Sequence, residues 1–442
     1  MADLRIGPAE SLRGRVRVPG DKSISHRTIL LGCLADGQSE IRGFLPSSDC
    51  LATLNCVRAL GIRVDVEAST GLRVYGRGLR GLSAPAGPLN CGRSGTTMRL
   101  LAGMLAGRAF DGGEVTLTGN AQLLRRPMGR ISRPLRRMGA SIETVDGHGP
   151  LTIRGRPLRG CEHTLPVASA QVKSAILLAA LFADGPTVVH QPGPARDHTE
   201  LMLAAMGADI EVDGLTVTLV PRLAPMAPIT LTVPADMSSA AFPLVAGLLV
   251  PGAAVTVEGV GINPTRTGLL DVLRPMGADV SVLVGRQAGG EPVADVRGRG
   301  SRLRGVQVGG DTVVRMIDEF PLLAVAATQA EGITTVRDAA ELRVKETDRI
   351  ACIASELGKM GARIVPQPEG FAVAGPTPLR GAVVDSHSDH RIAMALAVAG
   401  LVAHGETVVR NADCIADSFP GFEQVMQTLG APVNWVGAEK AR

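Results

Sequence analysis

The sequence predicts an α/β protein assembled from six copies of one supersecondary unit, grouped three and three. Two features carry this reading. A helix-like stretch ends at a small-residue turn before a short strand at Leu60-Gly61-Ile62, Met138-Gly139-Ala140 and Met206-Gly207-Ala208, and again at Met276-Gly277-Ala278, Met360-Gly361-Ala362 and Leu429-Gly430-Ala431. These glycines lie 68 to 84 residues apart, too far for a solenoid repeat and suited to a unit of several elements. In phase with them, an apolar helix opens on polar or charged residues and closes at a glycine, in the stretches 23–37, 94–107, 169–185, 238–252, 318–332 and 389–405.

Each unit then reads in order. The apolar helix comes first, followed by a strand with β-branched content, as at Val115-Thr116-Leu117-Thr118, Thr187-Val188-Val189 and Thr407-Val408-Val409. A loop leads to a second helix, the turn glycine and a further strand. At that turn a left-handed C-cap closes the helix, a conformation glycine adopts without steric cost. One unit cannot bury both of its helices alone, so the copies must pack together. At 442 residues the chain exceeds what a single core of roughly 250–300 residues accommodates. The stretch 221–228, with three prolines, reads as the break after the third unit. Residues 1–20 precede the first unit and can complete a strand of either half.

Composition excludes several functions. The seven cysteines are scattered without a C-x-x-C pair, so neither a disulfide framework nor a zinc site is supported. The longest apolar run, 392–403, is too short to span a bilayer, and the N-terminus shows no signal-peptide pattern. Aromatic residues make up only 2%, against a base-stacking nucleic-acid surface, and a net charge of +4 implies no polyanion partner. A cytoplasmic protein of small-molecule chemistry is expected.

The basic residues are 41 arginines and five lysines, so lysine placement is informative. Lys22, Lys173 and Lys345 stand at helix starts, where a compact, titratable ammonium suits a site. The strongest motif is Pro19-Gly20-Asp21-Lys22-Ser23-Ile24-Ser25-His26-Arg27, ahead of the apolar run 28–34. It places Lys22, Ser23 and Arg27 at a helix N-terminus, where backbone N–H groups and the helix dipole already favour an anion. Gly92-Arg93-Ser94-Gly95-Thr96-Thr97-Met98-Arg99 is a small-residue loop entering a helix, without P-loop or Rossmann spacing. Ser169-Ala170-Gln171-Val172-Lys173 and Asp389-His390-Arg391 open two more apolar helices, and Arg126-Pro127, Arg196-Asp197-His198 and Lys345-Glu346-Thr347-Asp348-Arg349 open second helices. Arginine at helix starts opposes the dipole, which favours anion capture over local stability as its reason. Asp318-Glu319 and Glu346 add carboxylates. An acid among such cations is either a salt-bridged cap or a group that accepts a hydroxyl proton.

These motifs, taken in order, resemble those of the 5-enolpyruvylshikimate-3-phosphate synthase family (3-phosphoshikimate 1-carboxyvinyltransferases), over nearly the whole chain. The wording of SAQVK, RDHTE and MIDEFP is similar to the bacterial branch distinct from the enteric type. The resemblance implies two inside-out α/β barrel domains, each of three βαβαββ units, with the active site in the inter-domain cleft. The first domain would span 21–235 and the second 1–20 with 236–442.

The implied reaction joins phosphoenolpyruvate to the 5-hydroxyl of shikimate 3-phosphate by addition and elimination through a tetrahedral ketal phosphate. It needs no metal and no organic cofactor, and the resemblance implies a monomer without nucleic-acid or membrane partners. By the same match the catalytic residues are Lys22, Asp318 and Glu346. Shikimate 3-phosphate would be held by Lys22, Ser23, Arg27, Ser169, Gln171, Arg196, Asp318 and Lys345. Phosphoenolpyruvate would be held by Lys22, Gly95, Arg126, Gln171, Arg349 and Arg391. Two positions depart from the enteric pattern: Arg93 replaces an asparagine, and Asp417 replaces a substrate-binding lysine. The alternatives are transfer to UDP-N-acetylglucosamine or another acceptor, and a non-catalytic anion-binding scaffold. The UDP-sugar enzyme carries a reactive cysteine in the loop corresponding to 119–130, where this sequence has none.

Overall fold

The chain is described by a computed structural model that covers residues 2–110, 113–222, 224–288 and 290–437. Its packing divides the chain into two compact units. The N-unit comprises Gly20–Val233 and Ala288–Glu291, and the C-unit comprises Met1–Pro19, Pro234–Gln287 and Pro292–Arg442. Each has one hydrophobic core of its own.

Six small sheets recur with one strand pattern. In the third repeat the order along the chain is Glu162–Thr164, a helix, Thr187–His190, a second helix, Asp209–Asp213 and Thr216–Val220. The first two strands pair in parallel, and the other pairings are antiparallel. This is a βαβαββ unit. The longer helices fall two to a repeat: α1 (Lys22–Leu34) and α2 (Ser48–Ala59), α3 (Gly95–Ala106) and α4 (Gly129–Arg137), and α5 (Ala170–Ala180) and α6 (His198–Ala205) in the N-unit. The C-unit has α7 (Met237–Leu249) and α8 (Gly268–Leu273), α9 (Phe320–Thr328) and α10 (Arg349–Lys359), and α11 (His390–Leu401) and α12 (Phe422–Thr428).

The first helix of each repeat is buried almost throughout, its polar residues included, and in α9 every residue is buried. Within each unit these helices pack on one another, α3 against α5, and α9 against both α7 and α11. Second helices bury one stripe. In α10 it is Ile350, Ile353, Ala354 and Leu357, spaced to one face of a 3.6-residue helix.

The turn glycines 61, 139, 207, 277, 361 and 430 all adopt left-handed φ, between 83° and 98°. The apolar helices close less uniformly than the sequence suggests. Gly37 and Gly332 lie beyond the helix ends, within the strands Asp36–Arg42 and Gly332–Val336.

Three sheets are completed by strands far away in sequence. Thr230–Thr232 pairs in parallel with Asp36–Arg42, so the chain adds one more strand to the N-unit after the proline-rich stretch 221–228 before leaving it. Arg13–Val16 pairs with Ala254–Gly261, and Asp3–Ile6 lies between Thr407–Arg410 and Val433–Val436. Among the described residues no helix is long and apolar enough to cross a membrane.

Two glycines separate backbone cost from packing cost. At Gly361, φ is +90° and nothing lies within 4 Å of an added Cβ, whereas at Gly103 the Cβ would sit 2.1 Å from the Ala175 carbonyl oxygen of α5. In urea denaturation Gly361→Ala should lose about 1–2 kcal/mol from left-handed strain alone. Gly103→Ala must spread α3 from α5 and should lose about 3 kcal/mol or more.

Candidate active site

The two units each carry a cluster of the expected residues. In the N-unit, Asp21 caps α1 by accepting from the Ile24 amide at 2.9 Å. This fixes the first turn, which carries Lys22 and Ser23. The Lys22 ammonium is paired with Asp49 in the first turn of α2. Ser23 Oγ accepts from the Arg196 guanidinium at 3.2 Å. Arg27, one turn further along α1, is buried and donates to Thr199 Oγ1 and Ser174 Oγ at 2.7 Å each and to the Ser23 carbonyl at 2.9 Å. It therefore braces the Ser23 turn against α5 and α6.

A second group forms around Gly95, the first residue of α3, which Ser94 caps. An added Cβ at Gly95 would lie 3.0 Å from Arg126 NH1 and 3.4 Å from Arg99 NH1, so two guanidinium groups converge on this glycine. Arg99 also donates to Gln171 Oε1, and Gln171 Nε2 donates to Thr96 Oγ1 at 2.9 Å. Ser169 is the N-cap of α5 and accepts from the Val172 amide. Arg93 donates to Gln122 Oε1 at 3.1 Å. A buried chain joins the two groups: His26 Nδ1 bonds to Thr53 Oγ1 at 2.7 Å, Thr53 to Thr97 Oγ1 at 2.6 Å, and Thr97 donates to Ser94 Oγ at 2.7 Å. Burial, with Lys22 and Arg27 close by, pushes the His26 imidazole well below its ordinary pKa, so the ring is neutral.

Lys173 does stand in the first turn of α5, whereas Lys345, expected at a helix start, closes the 3-10 turn Ala340–Val344 four residues before α10. The Lys173 ammonium is buried in an ion pair with Glu200 and donates to the Ala195 carbonyl at 3.3 Å. It steadies the backbone beside Arg196 and presents no charge to solvent.

In the C-unit, Arg349 opens α10 and is 2% exposed. One guanidinium serves three carboxylates: Nε donates to Asp389 at 2.9 Å, NH1 to Asp318 at 3.3 Å and NH2 to Glu346 at 2.7 Å. Asp318, Glu346 and Arg349 are thus brought together, with Lys345 among them. Burial lowers the Lys345 ammonium from 10.5 to about 8, while Asp318 and Glu341 pull it back up. Behind Asp318, the buried Glu319 accepts from Ser238 Oγ, which in turn accepts from Arg266 at 2.9 Å. Burial and the charge of Asp318 raise the Glu319 carboxyl, and Arg266 and Arg391 oppose that rise. Arg391, in the first turn of α11, is buried to 4% exposure. Among the described residues no hydrogen-bond partner reaches its Nε or NH1. Asp417 ends the 3-10 turn Ala412–Asp417, four sequence positions before the αL residue Gly421 that precedes α12.

Sequence reasoning passed over Asp49, Arg99 and Asp389 as site residues. Arg99 could have been found from its spacing, since it lies four residues beyond Gly95 on one helical face. Asp49 carries no such signal, because its pairing with Lys22 joins two separate helices.

The geometry predicts the titration of Lys345 in the ligand-free protein. Mass-spectrometric footprinting with an amine-directed acylating reagent should show half-maximal labelling of Lys345 near pH 8. A midpoint above pH 10 would mean that burial does not act on this ammonium.

Residues 6–426 match the family model described as EPSP synthase (3-phosphoshikimate 1-carboxyvinyltransferase). Among curated proteins, the 3-phosphoshikimate 1-carboxyvinyltransferase of Pelotomaculum thermopropionicum is 52% identical over 438 residues, 98% of this chain and 100% of the relative. That of Desulforamulus reducens is 48% identical over 431 residues, 97% and 99% of the two chains. A solved EPSP synthase from Acinetobacter baumannii superposes with a TM-score of 0.88 at 43% identity, covering 99% of this chain and 100% of that one. With a match of this extent in sequence and in fold, the chain belongs to the EPSP synthase family.

Proposed function

We propose that this enzyme transfers the enolpyruvyl group of phosphoenolpyruvate to the 5-hydroxyl of shikimate 3-phosphate, releasing phosphate. Relatives about half identical over almost the whole chain bear the name of that activity. The structural observation that most favours it is Arg391: a buried guanidinium with hydrogen-bonding groups left over suits a site that receives an anion.

The residues divide the work by charge. Lys22, Ser23, Arg27, Ser169, Gln171, Arg196 and Lys345 hold shikimate 3-phosphate, with Asp318 at its 5-hydroxyl. Lys22, Arg126, Gln171, Arg349 and Arg391 hold phosphoenolpyruvate, and Gly95 leaves room for it. Asp318 takes the hydroxyl proton as that oxygen attacks C2 of phosphoenolpyruvate. Lys22 or Glu346 gives a proton to the methylene carbon. The resulting tetrahedral ketal phosphate then loses a proton from the new methyl group and expels phosphate, restoring the enol ether. The enzyme works as a cytoplasmic monomer without metal or organic cofactor. Transfer to UDP-N-acetylglucosamine is disfavoured by family membership and by the absence of cysteine from residues 119–130.

Phosphate release from purified enzyme should require both substrates, and each omission should abolish it. Release from phosphoenolpyruvate with UDP-N-acetylglucosamine instead would overturn the acceptor assignment. Asp318→Ala and Glu346→Gln should each lower kcat by roughly 100- to 10,000-fold while the protein stays folded. Unchanged turnover in either would remove that carboxylate from its role. At Gly95→Ala the new methyl group meets the far end of a flexible Arg126 side chain, so the fold survives. Its KM for phosphoenolpyruvate should rise about tenfold, the loss of one charge-assisted contact, with the KM for shikimate 3-phosphate unchanged.

A further inference from the structure

Asp389 caps α11 and Arg391 lies in its first turn, and the two residues before Asp389 are in an uncommon conformation. His387 has φ of 52° and Ser388 of 57°, consecutive left-handed positions without a glycine. Each costs of order 1 kcal/mol or more, and such conformations persist only where the surroundings over-determine them. Here the surroundings do so. Asp385 Oδ1 accepts from the His387 amide at 2.6 Å, and Ser386 Oγ accepts from the Ser388 amide at 3.0 Å. Ser386 Oγ donates to the Asn411 carbonyl at 2.8 Å, and Asn411 Nδ2 returns a bond to Asp385 Oδ2 at 2.9 Å.

The turn is tied to the rest of the C-unit through one side chain. Glu356 projects from α10 and is buried although ionisable. Its Oε2 accepts from the Asp385 amide at 2.9 Å, and its Oε1 accepts from His387 Nε2 at 3.0 Å. The Lys359 ammonium donates to both oxygens, at 2.8 and 2.7 Å. Burial would push the Glu356 carboxyl up, but these partners outweigh it and hold it below the usual range. The same helix begins with Arg349, which grips Asp389. Helix α10 therefore holds the approach to α11 at two points, Asp389 by Arg349 and the strained turn by Glu356.

We propose that Glu356 is a positioning residue for the phosphoenolpyruvate site: by fixing the left-handed turn at His387 and Ser388, it sets the start of α11 and so the guanidinium of Arg391. The inference rests on the reading of Arg391 given above. Glu356 touches no substrate and acts through the Asp385 amide and the His387 side chain. Its loss releases the turn to relax toward ordinary φ, and Arg391 moves with the first turn of the helix.

The test uses the full-length enzyme and Glu356→Gln, which keeps the shape and removes the charge. The KM for phosphoenolpyruvate should rise about tenfold, as expected for loss of a buried charged acceptor, while the KM for shikimate 3-phosphate stays within about twofold. Hydrogen exchange at the amides of residues 387–391 should quicken in the ligand-free protein. Adding Ser388→Gly to Glu356→Gln should recover most of the lost KM, because glycine holds the left-handed conformation unaided. If Glu356→Gln folds poorly, His387→Ala removes one bond at a half-exposed position and should raise the same KM about threefold. An unchanged phosphoenolpyruvate KM in both variants, or equal damage to both substrates' KM values without glycine rescue, overturns the proposal. Arg391→Met, assayed alongside, separates the two levels. If it leaves the phosphoenolpyruvate KM unchanged, the reading of Arg391 has failed, whatever the exchange data show for Glu356.

Discussion

Helices without a solvent-facing side impose the constraint from which the rest follows. The first helix of every repeat is buried on all sides, so it is stable only when surrounded, and three such helices packed together form the core of each unit. Surrounded helices leave only their ends for chemistry. Lys22, Gly95, Ser169, Glu319 and Arg391 all lie within two residues of the start of α1, α3, α5, α9 and α11. The free N–H groups and the positive end of the dipole gather there too, so the packing rule and the anion chemistry favour the same places.

Carrying charge so close to an apolar core has a desolvation cost, and the structure offsets it with close pairing. Lys173 and Glu200, Arg266 and Asp236, and Arg349 with its three carboxylates are all pairs or groups in which each charge has an opposite charge at hydrogen-bonding distance. Replacing one partner in such a pair leaves the other stranded, which costs more than the pair itself contributes. Arg349 shows how structure and function share one group. The three acids that make the Arg349 guanidinium compatible with burial include Asp318 and Glu346, the two carboxylates proposed for proton transfer, and the guanidinium fixes the spacing between them.

Much of the fold was legible because the repeat was written in residues with few alternatives. A glycine at a left-handed helix end, preceded by methionine or leucine and followed by an apolar residue, recurs where the structure places the turn. The apolar helices were legible by length and uniformity. The first strand of each repeat was not. Leu89–Asn90 and Gln307–Val308 are two residues long and held by parallel pairing to distant segments, so no local periodicity announces them. For the same reason the proline-rich stretch 221–228 read as the end of a half, although Thr230–Thr232 still belongs to a sheet of the N-unit. At the site, residues on one contiguous motif were visible as a motif. Lys173 was misleading: a lysine at a helix start looks like a ligand until its buried partner, Glu200, is seen. Asp49 and Glu356 were invisible because their meaning lies in contacts with other elements.

The completion of sheets by remote strands bears on how the chain is made. Asp3–Ile6 and Arg13–Val16 leave the ribosome before any of the strands they join, and Asp3–Ile6 finds both of its neighbours only in the last repeat. The N-unit, whose closing strand follows its third repeat directly, can assemble during synthesis, while the N-terminal strands wait as unpaired edges. An unpaired edge is a template for wrong partners. Those two short segments carry arginines at positions 5, 13 and 15, a density of charge that keeps a waiting strand in solution until its own sheet arrives.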